Sequence, residues 1–158
     1  MHIIFQKRGL HMSQKQEPWE LYPHIWKNQS AFFTFMRGAL RRALWERNPI
    51  KLEFKNEECK PPPPDYVGRA KSGATCALSG VWGAKSSLEV DHIKGNVRLQ
   101  NWDDVMPFIR HLCPTKEELQ LVTKHAHKIK SYAERLGLTY EEAEAAKFAI
   151  QLQKDKMD

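Results

Sequence analysis

Val90-Asp91-His92 and His127 are the residues whose types and spacing could do chemistry. A carboxylate at Asp91 and an imidazole at His127 can hold one divalent cation if the fold brings a strand end and a helix start together. His92 would point away from Asp91 in a strand, because successive side chains alternate faces. It therefore does not share that ion in regular strand geometry. A neutral imidazole beside a phosphate, with an ordinary pKa near 6.5, is well suited to take a proton from water. His125 falls on another helix face than His127 and reads as solvated. His111 closes a helix, where a cation meets the helix dipole, and reads as structural.

These residues need elements to position them. Ala74 to Leu78 and Ser87 to Asp91 are strand candidates with Ser79-Gly80 and Gly83-Ala84-Lys85 as turn material, which predicts a β-hairpin. Asn101 reads as the N-cap of a helix from Trp102 to Leu112, with Val105, Phe108, Ile109 and Leu112 on its apolar face and Pro114 as its stop. Leu119, Leu121 and Val122 form a short apolar run. His125 to Leu136 reads as a helix with Gly137 beyond its end. Thr139 and Glu142 form a capping box for a last helix through about Gln153. Upstream, residues 13–29 are aromatic and irregular. Ser30 is the expected N-cap of a helix to about Arg47, with Phe32, Met36, Ala39 and Ala43 facing inward. Asn48-Pro49 ends it. Ile50 to Lys55 alternates and predicts a short strand or extended segment. The run Pro61 to Pro64 favours stiff polyproline II and reads as a joint.

The 158 residues fit one domain with an extension, and 41% of them are apolar, enough for one modest core. Charged residues make up 28% and mean hydropathy is −0.63. No apolar run approaches the roughly 18–20 residues that cross a bilayer. Met1 to Leu10 is basic and briefly apolar, lacks the features of a signal peptide, and precedes a plausible alternative start at Met12. Three cysteines (Cys59, Cys76, Cys113) form no CxxC pair, which argues against a disulfide scaffold and for a reducing compartment. The net charge of +6 is uneven: +5 over residues 1–60, +2 over 61–101 and −1 over 102–158. A polyanion such as nucleic acid is the natural partner of that field, a solvated basic surface the plainer reading.

The ordered pattern resembles the HNH endonuclease family, whose core is the ββα-metal finger, and especially its short bacteriophage members. The resemblance covers roughly Thr75 to Ala133. A CxxC-like element opens the hairpin, here Cys76-Ala77-Leu78-Ser79-Gly80. The second strand ends in Glu89-Val90-Asp91-His92-Ile93. A tryptophan-led helix follows at Asn101-Trp102-Asp103-Asp104-Val105. The closing segment is Glu118-Leu119-Gln120-Leu121-Val122-Thr123-Lys124-His125-Ala126-His127-Lys128-Ile129-Lys130-Ser131.

The resemblance implies an α+β fold: a ββα-metal core with an inserted helix, an N-terminal helical arm and C-terminal helices. It divides the chain into a basic helical arm (1–60), a proline-rich basic linker (61–73), the core (74–136) and a C-terminal helix (137–158). It makes His92 the general base and Asp91 and His127 the ligands of one divalent metal, Mg²⁺ or Mn²⁺. Glu118 stands where relatives carry a loop-bracing Asn, and Gln120 could substitute for it. The positions of the family's structural zinc read Cys76, Ser79, Thr123 and Ala126, and one thiolate cannot make a tetrahedral site. No structural zinc is expected, and apolar packing replaces it. The implied substrate is double-stranded DNA, with Lys128, Lys130, Arg69 and Lys71 at phosphates and Arg37, Arg41 and Arg42 extending the track. The implied setting is the cytoplasm of a bacterial host. A DNA-binding module of a phage packaging or recombination assembly that no longer cuts is the main alternative. A helical adaptor would explain the arm but not the Asp91, His92 and His127 spacing.

Overall fold

The computed structural model describes residues 15–156. The alternative start at Met12, and the basic segment Met1 to Leu10 before it, lie outside the described residues. The fold is α+β, with helices packed around two small antiparallel sheets.

A short helix α1 (Pro18–Leu21) opens the segment expected to be irregular, and α2 (Gln29–Leu40) follows. Asn28, not Ser30, caps α2: its side chain accepts the Ala31 N–H at 2.9 Å. Arg41–Glu46 then winds as a π-helix. The wider turn shifts the helix face, so Ala43 points outward and Trp45 is buried in place of the predicted inward Ala43.

The strand expected at Ile50 to Lys55 is instead helix α3 (Pro49–Glu58). The Asn48 side chain accepts the Ile50 N–H at 3.0 Å, and Pro49 occupies the first helical position, where a missing N–H costs nothing. The residues that end one helix thus begin the next, and Phe54 packs inward while Leu52 is exposed.

The predicted hairpin is also re-paired. Strand β1 (Gly73–Thr75) pairs with β2 (Trp82–Ala84) around the Cys76–Gly80 turn. Strand β3 (Leu88–His92) pairs instead with β4 (Leu119–Thr123), which the sequence showed only as an apolar run. In that register Asp91 faces Gln120 and His92 faces Leu119. Between these strands lie a 3₁₀ turn at Trp102–Asp104 and α4 (Val105–Leu112), capped as expected by Asn101, whose side chain accepts the N–H groups of Asp103 and Asp104. Strand β4 runs directly into α5 (Lys124–Leu136), which ends at left-handed Gly137 (φ 69°). The Thr139 and Glu142 capping box opens α6 (Tyr140–Asp155).

One core joins the two halves of the chain. Phe33 and Trp45 are buried together with Leu88, Val90, Leu99, Phe108, Leu112, Leu119 and Leu121. Full burial of each such side chain is worth about 1.5–3 kcal/mol. The helices before the proline run are therefore built onto the β3–β4 sheet. Lys55 Nζ donates to the Leu88 carbonyl at 2.6 Å, and Lys116 pairs with Glu53 and Glu57 at 2.5 and 2.7 Å. Among the described residues no helix is long and apolar enough to cross a membrane.

Candidate functional site

Strand β3 and helix α5 bring the predicted ligands together. Residues 89 and 91 share one face of β3, and both reach His127 in the first turn of α5. His127 Nε2 lies 3.5 Å from Asp91 Oδ1, and its Nδ1 lies 2.7 Å from Glu89 Oε2. Glu89 can only accept when ionised, so Nδ1 carries a hydrogen; in the neutral ring Nε2 is then the lone pair, and it faces Asp91. Glu89 was not singled out in the sequence, although its place two residues before Asp91 puts it on the same strand face.

Asp91 is buried, and its second oxygen is fully engaged. Oδ2 accepts Lys130 Nζ at 2.6 Å and Gln120 Nε2 at 3.0 Å. Lys130 also donates to the His92 carbonyl, and Gln120 approaches that carbonyl at 3.5 Å. Two of the expected roles change. Lys130 is drawn into the site, with Glu134 3.4 Å away, and does not extend toward solvent as a phosphate contact. Glu118 caps its own turn by accepting the Thr115 N–H at 2.8 Å, so its side chain does not brace the site loop. Its carbonyl accepts the Ile93 N–H at 2.9 Å, while Gln120 does the bracing, on Asp91.

Two metal bonds of about 2.1 Å meeting at a right angle place their donor atoms about 3 Å apart. The Asp91 Oδ1 and His127 Nε2 pair is close to that separation. Lys130 and Gln120 on Oδ2 leave Oδ1 as the open oxygen. Asp91 Oδ1 and His127 Nε2 are thus the two side-chain atoms placed to act as donors here. That donor set suits a hard cation that keeps several waters.

His92 points to the other side of the strand and is buried. Its ring is stacked between Trp45 (centroids 4.2 Å apart) and His111 (3.8 Å). Its Nε2 lies 2.7 Å from the His111 carbonyl. A carbonyl only accepts, so Nε2 carries the hydrogen and Nδ1 keeps a lone pair. Burial, reinforced by His111, lowers the pKa of His92 from 6.5 to about 4, and the ring is neutral at pH 7. Among the described residues Tyr140 Oη is the one buried side-chain polar atom without a partner. Nδ1 of His92 makes no hydrogen bond among the described residues. His111 lies in the last turn of α4, as read from the sequence, and also stacks on His92. Its own pKa is lowered by burial and then by Arg41.

The remaining basic residues divide. Lys128 lines a cavity with His127, while Arg37 and Arg41 line another with His111. Arg42 and Arg69 are exposed and line none of the cavities near these residues. Lys71 shares with Lys55 and Lys85 a hollow that Asp91 does not line. Lys51 and Lys55, not anticipated, line a cavity of about 300 Å³ with Trp45, Glu89 and His127.

At the four zinc-type positions Cys76 is buried with Val122 and Ala126. Its Sγ accepts the Thr123 N–H at 3.3 Å. Burial opposes the thiolate, but hydrogen bonds from the Ser79 side chain and from the Thr123, Ser79 and Leu78 backbone outweigh it and bring the pKa from 9.0 to about 7. No protein-family description, curated protein or solved structure matches this chain.

Proposed function

We propose that the protein is a metal-dependent HNH endonuclease that hydrolyses phosphodiester bonds of duplex DNA in a bacterial cytoplasm. The observation that carries this reading is the approach of Asp91 Oδ1 and His127 Nε2 to 3.5 Å, each with its other polar atom tied off. The β3–β4–α5 unit that makes this approach matches the order strand, strand, helix of the ββα-metal core.

In this reading His92 Nδ1 accepts the proton of the attacking water, an effect worth about 10²–10⁴-fold. Its Nε2–H stays on the His111 carbonyl, so the ring holds its tautomer through the step. Water attacks phosphorus as the bond to the 3′ oxygen breaks. Asp91 and His127 would hold a divalent cation, Mg²⁺ or Mn²⁺, which supplies charge stabilisation at the leaving oxygen. Gln120 and Lys130 keep the Asp91 carboxylate aimed, and Glu89 keeps the His127 ring aimed.

One observation favours the alternative of a DNA-binding module that does not cut. The Lys130 ammonium, 2.6 Å from Asp91, already neutralises the carboxylate a cation would need. Supercoiled plasmid separates the two. The nuclease gives nicked or linear product with Mg²⁺ or Mn²⁺ that EDTA abolishes and His92→Ala removes. Retarded plasmid with no new topological form under every metal tested would refute it.

A further inference from the structure

We propose that one face of α5 and the groove beside it hold the phosphates flanking the one at Asp91 and His127, an inference that rests on the nuclease reading above. His127, Ser131 and Arg135 stand at four-residue steps and so share one helix face. A cavity of about 320 Å³ is lined by His127, Lys128, Ser131 and Arg135 among others. Ser131 and Arg135 also line the next hollow, of about 540 Å³, together with Arg37, Arg41 and Arg98. The two spaces share Ser131 and Arg135 and so lie next to each other along α5, a path of adjacent hollows leading away from His127. From residue 127 to 135 the helix rises about 12 Å, while a DNA strand rises about 3.4 Å per nucleotide, so the path reaches beyond one neighbouring phosphate.

The arginines along it, Arg37, Arg41, Arg98 and Arg135, have no carboxylate partner among the described residues, although Arg135 lies 5.4 Å over the Tyr132 ring. Glu134 is the one carboxylate lining the groove, and it sits 3.4 Å from Lys130 Nζ. Four guanidinium groups around one hollow repel one another, and a polyanion entering it relieves that repulsion. His111 lines the same groove and stacks on His92, so the groove ends against the proposed base. Ligand chemistry of this kind is a phosphodiester backbone. Arg98 from the loop and Arg135 from α5 become its contacts alongside Arg37 and Arg41.

The test is fluorescence anisotropy of a labelled DNA duplex with the full chain in EDTA, over a series of salt concentrations. Arg98→Ala/Arg135→Ala weakens binding at least tenfold. It also flattens the slope of log K against log salt by about 0.9 for each phosphate no longer neutralised. Arg98→Lys/Arg135→Lys, which keeps both charges, retains the slope and separates removal of charge from a folding defect. An unchanged slope in the alanine variant makes the groove a merely solvated face and overturns the proposal, even if the protein nicks plasmid. A flattened slope in a protein that never nicks keeps the phosphate track and removes only the nuclease reading.

Discussion

Glu89 accepts the Nδ1–H of His127 at 2.7 Å, and this hydrogen bond turns Nε2 of the same ring toward Asp91. A carboxylate on the far nitrogen fixes the tautomer and orientation of a metal-ligating imidazole, and removing such a partner typically weakens metal binding about 10–100-fold. Titration calorimetry with Mn²⁺ should show that weakening for Glu89→Ala, and near-complete loss of binding for Asp91→Ala and His127→Ala. Wild-type affinity in Glu89→Ala would mean that the ring is held in place by other neighbours.

On the proposed nuclease reading, His92 is separable from the ion. It lies across the strand from Asp91 with its polar edge on the His111 carbonyl, so His92→Ala keeps Mn²⁺ and DNA affinity while plasmid nicking falls about 10²–10⁴-fold. A variant that loses metal and activity together would contradict the division of labour between the two faces of β3.

Trp45 closes one face of His92, and two consequences of removing it are measurable. Trp45→Ala should destabilise the fold by about 3–5 kcal/mol in urea, because a buried indole leaves a cavity behind. It should also raise the pKa of His92, followed by NMR titration, by letting water reach the ring. An unshifted titration in the variant would assign the depressed pKa to other neighbours.

Acid should weaken the fold before the carboxylates titrate. In the unfolded chain His92 binds a proton near pH 6.5; in the folded protein it resists until about 4. The stability it contributes is fully present above 6.5 and is lost as pH falls from 6.5 to 4, by at most about 3 kcal/mol. His111, lowered for a similar reason, adds in the same direction. Urea midpoints at pH 7.5, 5.5 and 4.5 should drop steadily in the wild type and less steeply in His92→Gln. Equal slopes in the two proteins would remove His92 from the account.

One spacing at the Cys76 corner is that of a tetrahedral zinc site. Cys76 Sγ and Thr123 Oγ1 are 3.9 Å apart, and two thiolates on one tetrahedral zinc are about 3.8 Å apart. The triple variant Ser79→Cys/Thr123→Cys/Ala126→Cys should therefore bind one zinc ion and melt at higher temperature with zinc than with a chelator. The wild type, with a single thiol there, should show no zinc dependence.

What was legible in the sequence was local. Asn101, Gly137 and the Thr139–Glu142 box mark helix ends because caps act within one turn. The opposed directions of Asp91 and His92 follow from strand alternation alone, and the strand–helix convergence of Asp91 with His127 was anticipated from residue types and order. Alternation misled at Ile50 to Lys55, where the Asn48 cap and Pro49 at the first helical position favour helix. Tertiary structure decided the rest. Strand β3 chose β4 over its nearer neighbour, because that pairing buries Leu88, Val90, Leu119 and Leu121 in one core with Phe33 and Phe108. The same packing turned Lys130 inward onto Asp91 and brought Trp45 and His111 over His92. Contacts between segments distant along the chain depend on how whole surfaces fit and on which buried charges find partners, and neither is written in the periodicity of a short stretch.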